Sequence, residues 1–155
     1  MSDQRPVPLA AGERETLLSL LQFQRESFVR KVDGLDDEAA RGSPVASGTS
    51  LLWLTHHLSF AEQIWLVHRF RGEELVVENA VGPDETLADA VVLYRDTWAR
   101  SDEIVRSATL DERCPIPGGG EVNLRWILMH LLEETARHAG HADILRELID
   151  GAAGR

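Results

Sequence analysis

Apolar residues recur at three- and four-residue intervals in four stretches of the chain, which predicts four amphipathic helices. The first stretch runs from Glu13 to Leu35, and its apolar positions are Leu17, Leu20, Leu21, Phe28 and Val32. Gly34 marks the end of this helix. The second stretch begins after Thr49 or Ser50, either of which can cap a helix, and runs to about Arg71. Residues 36–41, between the two, predict at most one further short turn.

The other two helices carry clear start signals. Thr86 is a predicted N-cap, with Asp89 as the carboxylate of a capping box, and this helix runs to about Ser107. Asn123 can cap the last helix, which runs to Ile149. Residues 108–122 are rich in proline and glycine and predict a loop, and no stretch shows strong strand alternation.

These four helices, each of roughly six turns, bury their apolar stripes best as an all-α four-helix bundle. The connection between helices two and three, residues 73–85, is the longest and permits a crossover instead of a simple hairpin. A length of 155 residues suits one domain, so we expect residues 1–155 to form a single helical-bundle domain.

Composition narrows the classes of function. The net charge of −10 argues against nucleic acid as a partner, because phosphate binding needs a basic surface. We expect no membrane span, since no apolar run approaches the roughly 18 residues required. Residues 1–11 predict an extended arm without the pattern of a signal peptide, so a cytoplasmic location is expected. With Cys114 as the single cysteine, any metal site must use histidine and carboxylate ligands.

The last helix carries the strongest chemical signal. Four groups that can bind metal lie within an arc of roughly 80° on one helix face, namely His130, Glu134, His138 and His141. Apolar residues such as Leu131 share this face, so the polar groups should point inward and need partners away from water.

The second helix offers a facing histidine. His57 lies in line with apolar residues, whereas His56 is turned about 100° away and His68 lies about 16 Å along the helix. His57 together with the Glu134–His138 pair, spaced four residues apart, gives a three-ligand site with positions left open for water or substrate. A buried hydrogen-bond network without metal is the alternative reading of the same residues.

Other residues surround this predicted site. His130 and His141 flank the pair by about one turn each, either as groups that support the metal ligands or as part of the pocket wall. Trp53 and Trp126 are either pocket-lining or core residues. Arg125 and Arg137 could meet an anionic substrate, or form surface ion pairs with glutamates such as Glu133 or Glu121.

These motifs also resemble a known group of proteins. The segment 124–147 resembles the last helix of the DinB/YfiT-like metalloenzyme superfamily, and the segment 50–58 resembles its second helix. The similarity extends over about residues 13–151, and it points to the actinobacterial branch that contains mycothiol-dependent S-transferases.

The resemblance implies a divalent metal ion held by His57, Glu134 and His138, with zinc expected first and nickel, iron or manganese as alternatives. It further implies a detoxifying transferase in which a metal-bound mycothiol thiolate attacks an electrophilic or xenobiotic substrate. The partners would be a small-molecule thiol and an electrophile, with homodimerisation common in such proteins. Two other functions stay open: a mycothiol-dependent isomerase of the maleylpyruvate type, and a non-enzymatic metal-binding stress-response protein.

Overall fold

A computed structural model describes residues 4–153, and within them helices account for nearly all regular structure. The helices are α1 Glu13–Val32, α2 Asp37–Arg41, α3 Leu51–Glu62, α4 Leu87–Ser107 and α5 Leu124–Asp150. Helix α3 continues directly into a π-helical segment, Gln63–Phe70. Two strands, β1 Arg113–Pro115 and β2 Glu121–Asn123, precede α5.

The predicted caps start the long helices. The Ser50 hydroxyl accepts a hydrogen bond from the Trp53 amide at 3.2 Å. Thr86 and Asp89 form a reciprocal capping box at the start of α4. The side chain of Asn123 accepts a bond from the Trp126 amide at 2.9 Å, and α5 ends at Gly151 with a φ of 77°. Helix ends are thus set by local chemistry that the sequence displays.

Two apolar clusters fill the bundle from end to end and reveal the direction of each helix. The first cluster joins Phe28, Val32, Leu51, Leu54, Leu87, Ala90, Ala142 and Leu145. The second joins Leu18, Leu21, Leu66, Ile104, Val105, Leu124, Ile127 and Leu128. The first therefore contains the C-terminal parts of α1 and α5 and the N-terminal parts of α3 and α4. Helices α3 and α4 consequently run parallel to each other and antiparallel to α1 and α5.

Parallel α3 and α4 require the connection between them to return along the length of the bundle. Residues 71–86 make this return, so the predicted four-helix bundle with a long crossover is confirmed. The helix boundaries agree with the predicted ones within a few residues, and the short turn at 36–41 is helix α2.

The prediction of an unbroken loop over residues 108–122 was wrong. Strands β1 and β2 pair antiparallel in register, with Cys114 opposite Val122. Three-residue strands are too short to show alternation in a sequence, and glycines with positive φ angles, Gly118–Gly120, close the hairpin between them.

A buried ion pair links three of the helices. Arg25 of α1 is fully buried and donates two hydrogen bonds to Glu62, with distances of 2.8 and 2.6 Å. It donates a third to Asp102 of α4 at 2.9 Å. Since Glu62 is the last residue of α3, this network fixes α1 and α4 to the helix that carries His57.

None of the helices within residues 4–153 has both the length and the apolar character needed to cross a bilayer. The absence of a membrane partner stays a prediction. The cytoplasmic location, the single domain over all 155 residues and the homodimer stay predictions. Residues 1–3 of the predicted extended arm lie outside the described residues, and 4–11 contain neither helix nor strand.

Candidate metal centre

Helices α3 and α5 bring three potential metal ligands to one point. One donor atom from each of His57, Glu134 and His138 lies within 4.8 Å of the others. The Oε1 atom of Glu134 is 3.1 Å from the Nε2 atoms of both histidines. The three side chains are partly buried, with 18%, 25% and 12% of their surfaces exposed, so the point they share is accessible from outside.

Two neighbours orient the ring of His57. Asn79, on the crossover, presents its Oδ1 at 3.2 Å from the Nδ1 atom of His57. An amide oxygen accepts, so Nδ1 carries the proton and donates. Trp53, one turn earlier on α3, stacks on the same imidazole with ring centroids 4.8 Å apart and planes at 11°. The ring is therefore held on its edge by Asn79 and on its face by Trp53.

The donor set fits a divalent metal ion. Because the Nδ1–H of His57 donates to Asn79, the Nε2 lone pair faces the Glu134 carboxylate, and a proton or a metal cation must lie between them. Ligands bound at 2.0–2.1 Å in a tetrahedral site lie about 3.3 Å apart. The two distances from Glu134 Oε1 to the histidine Nε2 atoms, 3.1 Å each, are close to this value. A hydrogen bond to the remote imidazole nitrogen is also the usual support of a metal-binding histidine.

The electrostatics favour the protonation states that bind metal. Burial raises the pKa of Glu134, but hydrogen bonds and charge from His57 and His138 outweigh it, so the pKa falls below its ordinary value. Burial lowers the pKa of His138; Glu134 opposes this effect, and the neighbouring histidines add to it, so the net pKa is lowered. An ionised carboxylate and a neutral imidazole, the forms that coordinate cations, are thus both favoured at neutral pH.

His141 lies next to this cluster. Its Nδ1 atom is 3.2 Å from the Nδ1 atom of His138, and the ring centroids are 5.3 Å apart. One of the two nitrogens donates to the other, so His141 can orient the ring of His138 as Asn79 orients the ring of His57. The predicted neighbours Trp53 and His141 therefore do contact the candidate ligands.

His130 and Trp126 lie elsewhere. Their rings stack with centroids 5.1 Å apart, and the ring of Trp65, on the π-helical segment, packs against both. Trp126 precedes Glu134 by eight residues, about 12 Å along the helix axis. These two residues belong to an aromatic cluster at the N-terminal end of α5. Their ring contacts are with each other and with Trp65, and not with the two candidate histidine ligands.

The predicted arginines are engaged in ion pairs at the surface. Arg137 is exposed and pairs with Glu133 at 3.1 Å, as one of the two interpretations anticipated. Arg125 pairs with Glu13, which lies on α1 and is distant in sequence, and with Asp111, which lies in the loop after α4. The structure therefore does not bring Arg137 to the three donors, because its side chain points toward solvent.

Sequence reasoning left out the residues that hold the crossover beside the site. His56 is buried, and its Nδ1 is 2.8 Å from Glu85 while its Nε2 is 2.6 Å from the carbonyl of Glu78. These bonds anchor both flanks of the segment that carries Asn79. The sequence offered one indication of this arrangement, the adjacent pair His56-His57. Neighbouring residues on a helix point in different directions, and here His56 faces the crossover while His57 faces α5.

Two other residues that could carry chemistry, His68 and Cys114, lie outside the centre. His68 is exposed near the end of the π-helical segment, where it contacts the carbonyl of Glu73 at 2.9 Å. Cys114 is buried in the hairpin, and burial raises the pKa of its thiol. Burial and a raised pKa both disfavour the thiolate form, so the geometry does not favour Cys114 as a nucleophile.

The fold and the three-donor cluster together define a class: a helical bundle with a crossover and a candidate metal centre between its second and last long helices. The sequence model of the family described as mycothiol-S-transferase matches residues 16–151. The chain belongs to the mycothiol-S-transferase family. This match confirms the predicted resemblance to mycothiol-dependent S-transferases, and the YfiT-like part of the prediction is confirmed for the fold. No curated protein matches the chain.

Solved structures share this fold at low sequence identity. A conserved protein from Enterococcus faecalis has a TM-score of 0.65 at 17% identity, over 92% of this chain and all of that one. YfiT from Bacillus subtilis, described as a probable metal-dependent hydrolase with an unusual four-helix bundle topology, has a TM-score of 0.64 at 13% identity, over 92% and 91%. A mutant of a mycothiol-dependent maleylpyruvate isomerase has a TM-score of 0.62 at 16% identity, over 99% of this chain and 65% of that chain.

Proposed function

We propose that this protein is a divalent-metal-dependent S-transferase that joins the sulfur of mycothiol to an electrophilic small molecule. In the reaction a carbon–sulfur bond forms, the leaving group departs from the electrophile with its bonding electrons, and the thiol proton is released. The match to the mycothiol-S-transferase family over residues 16–151 supports the thiol and the reaction class.

The observation that carries the proposal is the convergence of His57, Glu134 and His138 on a single accessible point. Three protein ligands leave a tetrahedral ion with a free position, which is the pattern of catalytic rather than structural sites. A divalent cation bound there would favour the ionised form of a thiol and hold it in place. Zinc is the metal that we expect, and its identity is part of the proposal.

Side chains around the centre orient the three donor groups. Asn79 and Trp53 fix the ring of His57, and the lowered pKa of Glu134 keeps its carboxylate ionised at neutral pH. The side chains of Glu134 and His138 lie four residues apart on α5, so a single helical turn sets their spacing. The donor geometry therefore exists before any substrate arrives, which reduces the reorganisation that binding would otherwise require.

The test is conjugation of mycothiol to monochlorobimane by the zinc-loaded protein. Replacement His57→Ala should abolish the enzyme-dependent rate. The matched control is His68→Ala, which removes an exposed histidine outside the centre and should leave the rate unchanged. Equal rates for the wild type and His57→Ala would reject the proposal.

An isomerase acting on maleylpyruvate has less support. A dicarboxylate needs cationic partners, but Arg137 is paired with Glu133 and Arg146 with Asp150. Turnover of maleylpyruvate that depends on mycothiol would favour this alternative. Bound zinc without any affinity for mycothiol, measured by calorimetry, would favour a non-enzymatic metal-binding protein.

A further inference from the structure

A small cleft opens beside the candidate metal centre, between the loop that precedes α3 and the C-terminal half of α5. Its volume is about 330 Å³, at the lower end of the range for pockets that bind small organic molecules. It is lined by Val45, Ser47, Thr49, His141, Ile144 and Leu145.

The cleft adjoins the metal centre through one residue. His141 lines the cleft and also contacts His138, with their Nδ1 atoms 3.2 Å apart. A molecule lying in the cleft would therefore lie one side chain away from a candidate metal ligand.

The lining is apolar and free of acidic and basic side chains apart from the imidazole of His141. Val45, Ile144 and Leu145 supply hydrocarbon surface. The two hydroxyls, Ser47 Oγ and Thr49 Oγ1, lie 3.0 Å apart and hydrogen-bond to each other. Neither an arginine nor a lysine lines the cleft, so burying an anionic group there without a charged partner would be costly.

One wall of the cleft leaves apolar surface in contact with water. Ile144 is 59% exposed although it lies within one turn of His141. A bound apolar molecule would cover this surface and gain the favourable free energy of removing it from water.

We propose that this cleft binds the apolar body of an uncharged electrophile and so selects the second substrate of the proposed transfer reaction. The inference rests on the proposed function, because that reaction requires an electrophile next to the sulfur held at the metal centre. The substrate class is a small, neutral alkyl or aryl electrophile. Anionic electrophiles would be poor substrates.

The test uses two matched substitutions on α5. Ile144→Asn introduces a polar amide into the cleft, and Leu148→Asn makes a similar change one turn further on, outside it. Both side chains are more than half exposed, at 59% and 56%, so neither change should prevent folding, which circular dichroism verifies. The first readout is equilibrium binding of bimane, the unreactive parent of monochlorobimane, to the zinc-loaded full chain, followed by amide shifts in NMR spectra. The second is KM for monochlorobimane.

We expect bimane to shift the amides of Thr49, Ile144 and Leu145, and Ile144→Asn to weaken binding and raise KM about fivefold. Leu148→Asn should change neither value by as much as twofold. Equal behaviour of the two variants, or bimane binding elsewhere, would overturn the cleft assignment even if the wild type is an active transferase. Bimane bound in the cleft of a protein that conjugates no thiol would instead refute the proposed function and leave the cleft assignment standing.

Discussion

Replacement of Glu62 by glutamine tests whether the buried ion pair stabilises the fold around the centre. Glu62 is 1% exposed and accepts two hydrogen bonds from the fully buried Arg25. Glutamine keeps the shape of the side chain but removes its charge, and its NH₂ group cannot accept from the guanidinium. The variant therefore leaves a buried cation with Asp102 as its remaining carboxylate partner.

The expected cost follows from this geometry. A hydrogen bond to a charged group contributes about 1.5–3 kcal/mol, and removal of one partner of a buried ion pair costs about 3–5 kcal/mol. Because Asp102 still neutralises part of the charge, we expect a loss of about 3 kcal/mol in the free energy of unfolding. For a domain of this size that corresponds to a decrease in Tm of roughly 6–12 °C.

Urea unfolding followed by circular dichroism measures this loss, with Asp102→Asn as the control. Asp102 is 29% exposed and accepts a single bond from Arg25, so its replacement should cost about 1 kcal/mol or less. If Glu62→Gln costs no more than Asp102→Asn, the buried pair does not stabilise the bundle as argued.

Three further predictions concern the centre itself. Asn79→Ala should weaken zinc affinity by about 10- to 100-fold in a chelator competition titration, because it removes the acceptor that orients His57; an unchanged affinity would contradict that role. Zinc at 100 times its Kd should raise the free energy of unfolding by about 2.7 kcal/mol, and a chelator should reverse the gain; identical melting curves with and without zinc would show that the folded state binds no ion. Cys114→Ala should conjugate mycothiol within twofold of the wild-type rate, since burial raises the pKa of that thiol; a tenfold loss would implicate Cys114 in the reaction.

The elements and much of the centre could be predicted because their determinants are local. Ser50, Thr86 and Asn123 cap the helices that they were predicted to start, since a cap depends on residues three positions apart. The spacing of Glu134 and His138 fixes both on one face of α5. The apolar pattern of the second helix selected His57 as the histidine that faces the last helix, but it did not indicate that His56 is the more deeply buried of the two. The structure brings these three side chains together, while their role as metal ligands stays a prediction.

What sequence reasoning missed depends on contacts between distant segments. The crossover segment has no periodicity, so nothing local indicated that Asn79 would contact His57 or that Glu85 would bind His56. His130 shares the helix face of Glu134, yet Trp65 on the facing segment places it in an aromatic cluster. The three-residue strands of the hairpin likewise depend on pairing across a turn that no periodicity can reveal.

Titration with cobalt(II), followed by its visible absorption, tests most directly whether the three donors hold a metal ion. We expect saturation at one ion per chain for the wild type and for Glu133→Ala, which removes an exposed carboxylate next to the centre. Glu134→Ala should remove the absorption bands of the bound ion. Equal binding by Glu134→Ala and the wild type would show that the ion, if one binds, lies elsewhere.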